Sequence, residues 1–125
     1  MMNRKILNAN KMTGNFRDKP KTQEFFSTIS AYVETLGPSK RTVKAQVSIS
    51  VKRKFLWFWA YDKTPDGTLY MTVCLDREVD DPHFHYVNHI STNRWNHHVV
   101  IKSRDMAKSG WLRRLVRTGY EFANK

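Results

Sequence analysis

Phe55-Leu56-Trp57-Phe58-Trp59-Ala60-Tyr61 places two tryptophans, two phenylalanines and a tyrosine within seven consecutive residues. A basic triplet, Lys52-Arg53-Lys54, precedes this run, and Asp62-Lys63-Thr64-Pro65-Asp66-Gly67 follows it with the residues of a turn. A dense set of β-formers bounded in this way predicts a strand. Side chains alternate across a strand, so Phe55, Trp57, Trp59 and Tyr61 are expected on one face and Leu56, Phe58 and Ala60 on the other. Helices can bury one face of a small sheet. The second aromatic face then needs another cover, and function is expected there.

The flanking segments continue the sheet. Val43, Ala45, Val47, Ile49 and Val51 alternate with Lys44, Gln46, Ser48, Ser50 and Lys52, the pattern of a half-buried strand. Beyond the aromatic strand, Asp66-Gly67 supplies hairpin chemistry. Leu69, Met71, Val73 and Leu75 then alternate with Tyr70, Thr72, Cys74 and Asp76 in a third strand, which makes an antiparallel meander. Residues 76–86 are acidic and irregular. Val87 to Ile90 is expected as a short strand, Asn93 to Asn96 as a turn region and His97 to Ile101 as a last strand.

Helices are predicted at both ends. The first spans about Lys19 to Leu36, with Asp18 as N-cap and Pro20 in the first turn. Phe25, Phe26, Ile29, Tyr32, Val33 and Leu36 form its apolar stripe, and Gly37-Pro38 ends it. Ser103 caps a closing helix in which Trp111, Leu112, Leu115, Val116, Gly119, Phe122 and Ala123 share one arc. Arg113, Arg114 and Arg117 project from the other. The expected fold is α+β: an N-terminal helix, a four- to five-stranded antiparallel sheet and a C-terminal helix, with both helices on one sheet face. Residues 1–18 read as a flexible basic arm and 19–125 as a single domain.

Length and composition narrow the function. At 125 residues the chain can bury one core. No apolar run approaches the roughly 20 residues that cross a bilayer, so no membrane partner is expected. The start lacks the apolar segment of a secretory signal. Cys74 is the single cysteine, so no disulfide framework exists and a cytoplasmic, reducing location is expected. Lys and Arg number 22 against 11 Asp and Glu, a net charge of +11. The excess is uneven: 12 basic and 3 acidic side chains before residue 55, 2 and 6 over residues 55–90, and 8 and 2 thereafter. Such an imbalance suggests a polyanionic partner.

Residues capable of chemistry are present without a recognisable catalytic pattern. His83, His85, His89, His97 and His98 include a His-x-His pair, but no CxxC or HExxH spacing completes a metal site. Asp76, Glu78, Asp80 and Asp81 lack the lysine that a metal-dependent nuclease needs, and they read as a solvated loop. No Gly-x-Ser-x-Gly and no Gly-rich phosphate loop occurs. No cofactor is expected, and binding is favoured over catalysis. The remaining constellation interleaves cations with aromatics: Lys52, Arg53, Lys54, Trp57, Trp59, Tyr61, Arg94, His97, Arg113, Arg114 and Arg117 are the candidate binding residues. Stacking on aromatics beside a cationic groove is how single-stranded nucleic acid is held. The alternatives are an aromatic cleft for a small molecule or peptide, and an aromatic face that forms a homodimer.

The segment order also resembles a known family. Lys52-Arg53-Lys54-Phe55-Leu56, a strand ending in Leu75, His97-x-Val99-x-Ile101-x-Ser103, Trp111-Leu112-Arg113-Arg114 and Gly119-Tyr120-Glu121 are similar to the domain of unknown function 5655 family of small bacterial domains. The likeness covers roughly residues 20–124. This chain departs from the family pattern at His98 and Ala60, where Arg and Pro are usual. The resemblance implies an α+β fold with one antiparallel sheet and implies no activity.

Overall fold

The computed structural model describes Met12, Thr13 and residues 16–125. Seven strands are present among these residues: β1 (Met12–Thr13), β2 (Lys40–Val43), β3 (Val47–Ser50), β4 (Lys54–Tyr61), β5 (Leu69–Leu75), β6 (Tyr86–Ser91) and β7 (Arg94–Ile101). Three helices accompany them: α1 (Pro20–Leu36), α2 (Arg104–Lys108) and α3 (Gly110–Ala123). The protein is α+β. Its sheet runs β2-β3-β4-β5-β7-β6 with every neighbour antiparallel, and β1 pairs with the end of β4.

The sheet is wider than the four or five strands expected, chiefly because the strand predicted over 43–51 is a hairpin. Val43 faces Val47 across a turn at Lys44-Ala45-Gln46, which carries none of the usual turn residues. The facing residues are four apart, an even number, so odd-numbered side chains stay on one sheet face through the turn. The alternation therefore reads as unbroken. Strand β7 also begins earlier than predicted. Arg94, Trp95 and Asn96 lie within it, and Trp95 stacks on His89 with ring centroids 3.8 Å apart.

Register assigns the faces. Ile49, Leu56, Val73 and His97 form one row across the sheet, and Val47, Phe58, Met71 and Val99 form the next. These side chains are buried, and α3 lies over them. The helix comes closest at Gly119, where a Cβ would sit 2.6 Å from Val73 Cγ1 and 3.0 Å from Phe55 Cδ2. Helix α1 packs beside α2 and α3, with Phe26 edge-on to Phe58 at 5.1 Å. All helices occupy one face, as expected.

Two local expectations are corrected. Phe55 does not share a face with the tryptophans. The register shifts between Ile49 and Ser50, which oppose Leu56 and Lys54, so Phe55 is the extra residue of a β-bulge. It is fully buried and meets Tyr120 edge-on at 5.9 Å. Nor does Asp18 cap α1. Asp18 is exposed with φ 62, Lys19 holds the N-cap position, and no side chain local to the helix start serves. The acceptor comes from the β4–β5 loop: Asp66 Oδ1 takes the Lys21 N–H at 2.8 Å and the Thr22 N–H at 3.1 Å. The Thr22 hydroxyl strengthens that junction by donating to the Thr68 carbonyl and accepting from Gly67 N–H.

The closing helix is interrupted. Ser103 accepts from Met106 N–H to start α2, and Ser109 accepts from Leu112 N–H to start α3. The arm predicted over 1–18 falls largely outside the described residues. Of its remainder, β1 pairs with Tyr61 and Ala60, and Phe16 is buried 5.2 Å from the Phe26 ring. No helix among the described residues is long and apolar enough to cross a membrane.

Candidate functional site on the open sheet face

The second face of the sheet carries no helix among the described residues. Registers place Ser48, Trp57 and Thr72 in one row and Trp59, Tyr70 and Val100 in another. Tyr86 and His98 oppose each other across β6 and β7 on the same face. Trp57, Trp59, Tyr61 and Tyr70 are each half-buried, and Tyr86 is 54% exposed. Ser48, Thr72 and Cys74, small side chains on the same face, are buried.

The aromatics fall into two groups. Trp59 lies nearly parallel to Tyr70 at 5.8 Å, and Tyr61 meets Tyr70 edge-on at 5.4 Å. Across the sheet, Tyr86 stacks on His98 at 4.0 Å. Between the groups lies a cleft of about 140 Å³. His98 is held in place, its Nδ1 2.7 Å from Thr72 Oγ1 and its Nε2 2.7 Å from Asn88 Oδ1. Burial, together with nearby His97 and His85, pushes its pKa down, which favours the neutral ring. Trp59 Nε1 is sealed from solvent and has no hydrogen-bond partner among the described residues.

Next to this cleft, Trp57 lines a shallow groove of about 320 Å³ with Lys44, Lys54, Thr42, Gln46 and Ser48. Trp57 and Trp59 are two residues apart on one strand face, so their rings are spaced by about 6.8 Å along it. Among the described residues no strand contains an Asp or Glu, while Lys40, Arg41, Lys54 and Arg94 all lie in strands. Arg94 alternates onto the open side near Cys74, where its charge opposes the rise that burial imposes on the thiol pKa.

Of the candidate residues, Lys54, Trp57, Trp59, Tyr61 and Arg94 are brought to this face. The others are not. Arg113, Arg114 and Arg117 belong to α3, on the far side of the sheet. There Arg113 lies over the Tyr32 ring at 5.1 Å, and Arg117 is 3.4 Å from Glu121. Arg53 folds over Phe122 at 4.8 Å, and Lys52 is exposed on the β3–β4 connection. His97 is fully buried beneath the helical layer. Its Nδ1–H donates to the Trp95 carbonyl at 3.0 Å and its Nε2 accepts Val79 N–H at 3.0 Å, so it fastens the acidic loop to the sheet. Burial lowers its pKa, and the neutral ring makes both bonds.

The acidic loop has a second fastening. Trp111 Nε1–H donates to Asp81 Oδ2 at 3.0 Å, while His83 stacks on Trp111 at 4.4 Å and bonds Asp81 Oδ1 at 2.8 Å. The His83 backbone and side chain hold the Asp81 carboxyl below its usual range. No three His, Cys, Asp or Glu side chains among the described residues converge as metal ligands. A cleft of about 460 Å³ lies between α1 and β2–β3. Its cation, Arg41, is already engaged by Ser30 at 2.7 Å and stands 4.0 Å from Glu34.

The model of the family described as domain of unknown function (DUF5655) matches residues 12–123. The chain belongs to that family. The match takes in β1 to α3, nearly the whole of the described fold, so the open face and both clefts lie within the DUF5655 domain. No curated protein and no solved structure matches the chain.

Sequence reasoning did not place Tyr70, Tyr86 and His98 among the binding residues. Tyr70 and His98 lie on predicted strands, whereas Tyr86 falls at the end of the stretch read as irregular and is the first residue of β6. The neighbour of each across the sheet is set by strand order, in which β7 inserts between β5 and β6, and chain order does not reveal it.

Proposed function

We propose that this DUF5655 domain is a binding module for single-stranded nucleic acid and that the strand lies across the open sheet face. The carrying observation is the combination on that face: half-exposed Trp57, Trp59, Tyr61 and Tyr70, and strands without a single acidic side chain. Bases stack on such rings, and Lys44, Lys54 and Arg94 are positioned to meet phosphates. The net charge of +11 attracts a polyanion and disfavours association with a second like-charged copy. A small-molecule role is less well supported, because the aromatic cleft of about 140 Å³ is well below the ~300–1,000 Å³ of usual ligand pockets. A lone cysteine with a buried thiol suits a cytoplasmic location.

The test is anisotropy of a labelled single-stranded 12-mer with the full chain at 50 and 200 mM salt. Binding is expected to weaken steeply with salt, in proportion to the phosphates neutralised. Trp57→Ala and Lys54→Ala are expected to reduce affinity, and Arg113→Ala to leave it unchanged. Loss of binding on Arg113→Ala with none on Trp57→Ala would move the site to the helical side and refute the proposal.

A further inference from the structure

The cleft of about 460 Å³ between α1 and the β2–β3 hairpin lies on the helical side of the sheet. Helix α3 packs on β4 and β5, so the hairpin reaches past it and leaves open space beneath the C-terminal half of α1. Val33 and Ile49, 1% and 2% exposed, form an apolar floor, and Gly37, Pro38 and Ser39 form a wall. That wall is fixed. The Tyr120 hydroxyl donates to the Pro38 carbonyl at 2.9 Å and lies so close to Gly37 that a Cβ there would clash. The volume falls within the ~300–1,000 Å³ of sites that take small organic ligands.

Two groups of opposite charge line this cleft. Arg41 pairs with Ile49 across the hairpin, so its side chain shares the helical face. Its Nη2 donates to the buried Ser30 hydroxyl at 2.7 Å, and its Cζ lies over the Phe26 ring at 5.2 Å. Glu34 Oε1 stands 4.0 Å from the same nitrogen, too far for a hydrogen bond. The guanidinium carries five N–H donors in a planar fork, and among the described residues only Nη2 has a partner. The bond to Ser30 therefore orients the fork without filling it, and such a fork suits a carboxylate. An anion alone does not suit the rest of the cleft. Glu34 is exposed, and the last turn of α1 holds no basic side chain to offset the negative partial charge of its carbonyl end. These acceptors require a cationic N–H donor within a few ångströms of the carboxylate on Arg41. An α-amino acid carries both groups on one carbon.

We infer that the cleft is a binding site for a free α-amino acid with an apolar side chain. The carboxylate lies on Arg41, the ammonium on Glu34 and the carbonyl end of α1, and the side chain on Val33 and Ile49. Such a ligand is neutral overall, so the net charge of +11 neither attracts nor repels it. The site lies on the opposite side of the sheet from Trp57 and does not depend on nucleic-acid binding.

The test follows the Gly37 and Ser39 amide signals of the full chain in a proton–nitrogen correlation spectrum during titration with L-leucine and L-phenylalanine. Saturable shifts are expected. Leucinamide lacks the carboxylate and N-acetyl-leucine lacks the ammonium, and each is expected to bind about tenfold more weakly than leucine, the effect of losing one charged partner. Arg41→Lys keeps the charge without the fork, and Glu34→Gln removes the carboxylate charge. Each is expected to weaken leucine binding by about tenfold, while Trp57→Ala leaves it unchanged. Both substitutions are at exposed side chains, and an unaltered remainder of the spectrum verifies the fold. Absence of saturable shifts with both amino acids would overturn the site. N-acetyl-leucine binding as tightly as leucine would overturn the zwitterion assignment, and unchanged affinity in Arg41→Lys would overturn the role of the fork.

Discussion

Acidification from pH 7.5 to 5.5 is expected to destabilise this fold through His97. The ring is fully buried, gives its Nδ1 proton to the Trp95 carbonyl and receives Val79 N–H at Nε2. Burial holds its pKa below the ordinary 6.5, and the nearby Glu78 carboxylate offsets this only in part. The unfolded chain therefore binds a proton that the folded chain refuses. Stability is complete above the unfolded pKa and falls as pH drops through it towards the lower folded value. Each unit by which a histidine's folded pKa lies below its unfolded value corresponds to about 1.4 kcal/mol of stability that acidification removes. His98, also depressed but half-buried, adds a smaller share in the same direction. With a urea dependence of about 2 kcal/mol per molar, the midpoint should fall between pH 7.5 and 5.5 by about 0.5 M for each kcal/mol lost. His97→Gln retains an acceptor for Val79 N–H and does not titrate, so about half or more of the drop should vanish. Equal midpoints at the two pH values, or a full drop in His97→Gln, would refute the reasoning.

Further outcomes follow from single contacts. Asp66→Ala should destabilise the protein by about 1–2 kcal/mol in thermal or urea unfolding, because two amides at the start of α1 lose their acceptor. Gly119→Ala should cost about 1–3 kcal/mol, since its methyl must displace Val73 and Phe55 where α3 meets the sheet. Tyr120→Phe should cost about 1 kcal/mol by removing the 2.9 Å bond to the Pro38 carbonyl. Cys74, buried and with its pKa raised by burial, should resist thiol reagents in the native state at pH 8 and react fully in denaturant; rapid native labelling would contradict its position.

The architecture was legible where periodicity is strong. The stripe from Phe25 to Leu36 and the alternation from Leu69 to Leu75 mark α1 and β5 because each buries a regular face. Legibility failed where partners are distant in sequence. Asp66 caps a helix that begins more than forty residues earlier, and a local search for caps stops at Asp18. The bulge at Phe55 depends on what β3 does opposite it, so alternation alone assigned that ring to the wrong face. The same limit applies to the site. Trp57, Trp59 and Tyr61 announce themselves within one strand, but Tyr70, Tyr86 and His98 join them only through registry. The α3 arginines, conspicuous in sequence, are separated from them by the thickness of the sheet.

The most direct test of the open-face account uses the four indole N–H signals in a proton–nitrogen correlation spectrum as reporters of position. Trp57 and Trp59 stand on the open face, whereas Trp111 is bonded to Asp81 under the helical layer and Trp95 stacks on His89 on that same side. On addition of a single-stranded oligonucleotide, the Trp57 and Trp59 signals are expected to shift and those of Trp95 and Trp111 to stay fixed. Shifts confined to Trp95 or Trp111, or no shift at saturating oligonucleotide, would contradict it.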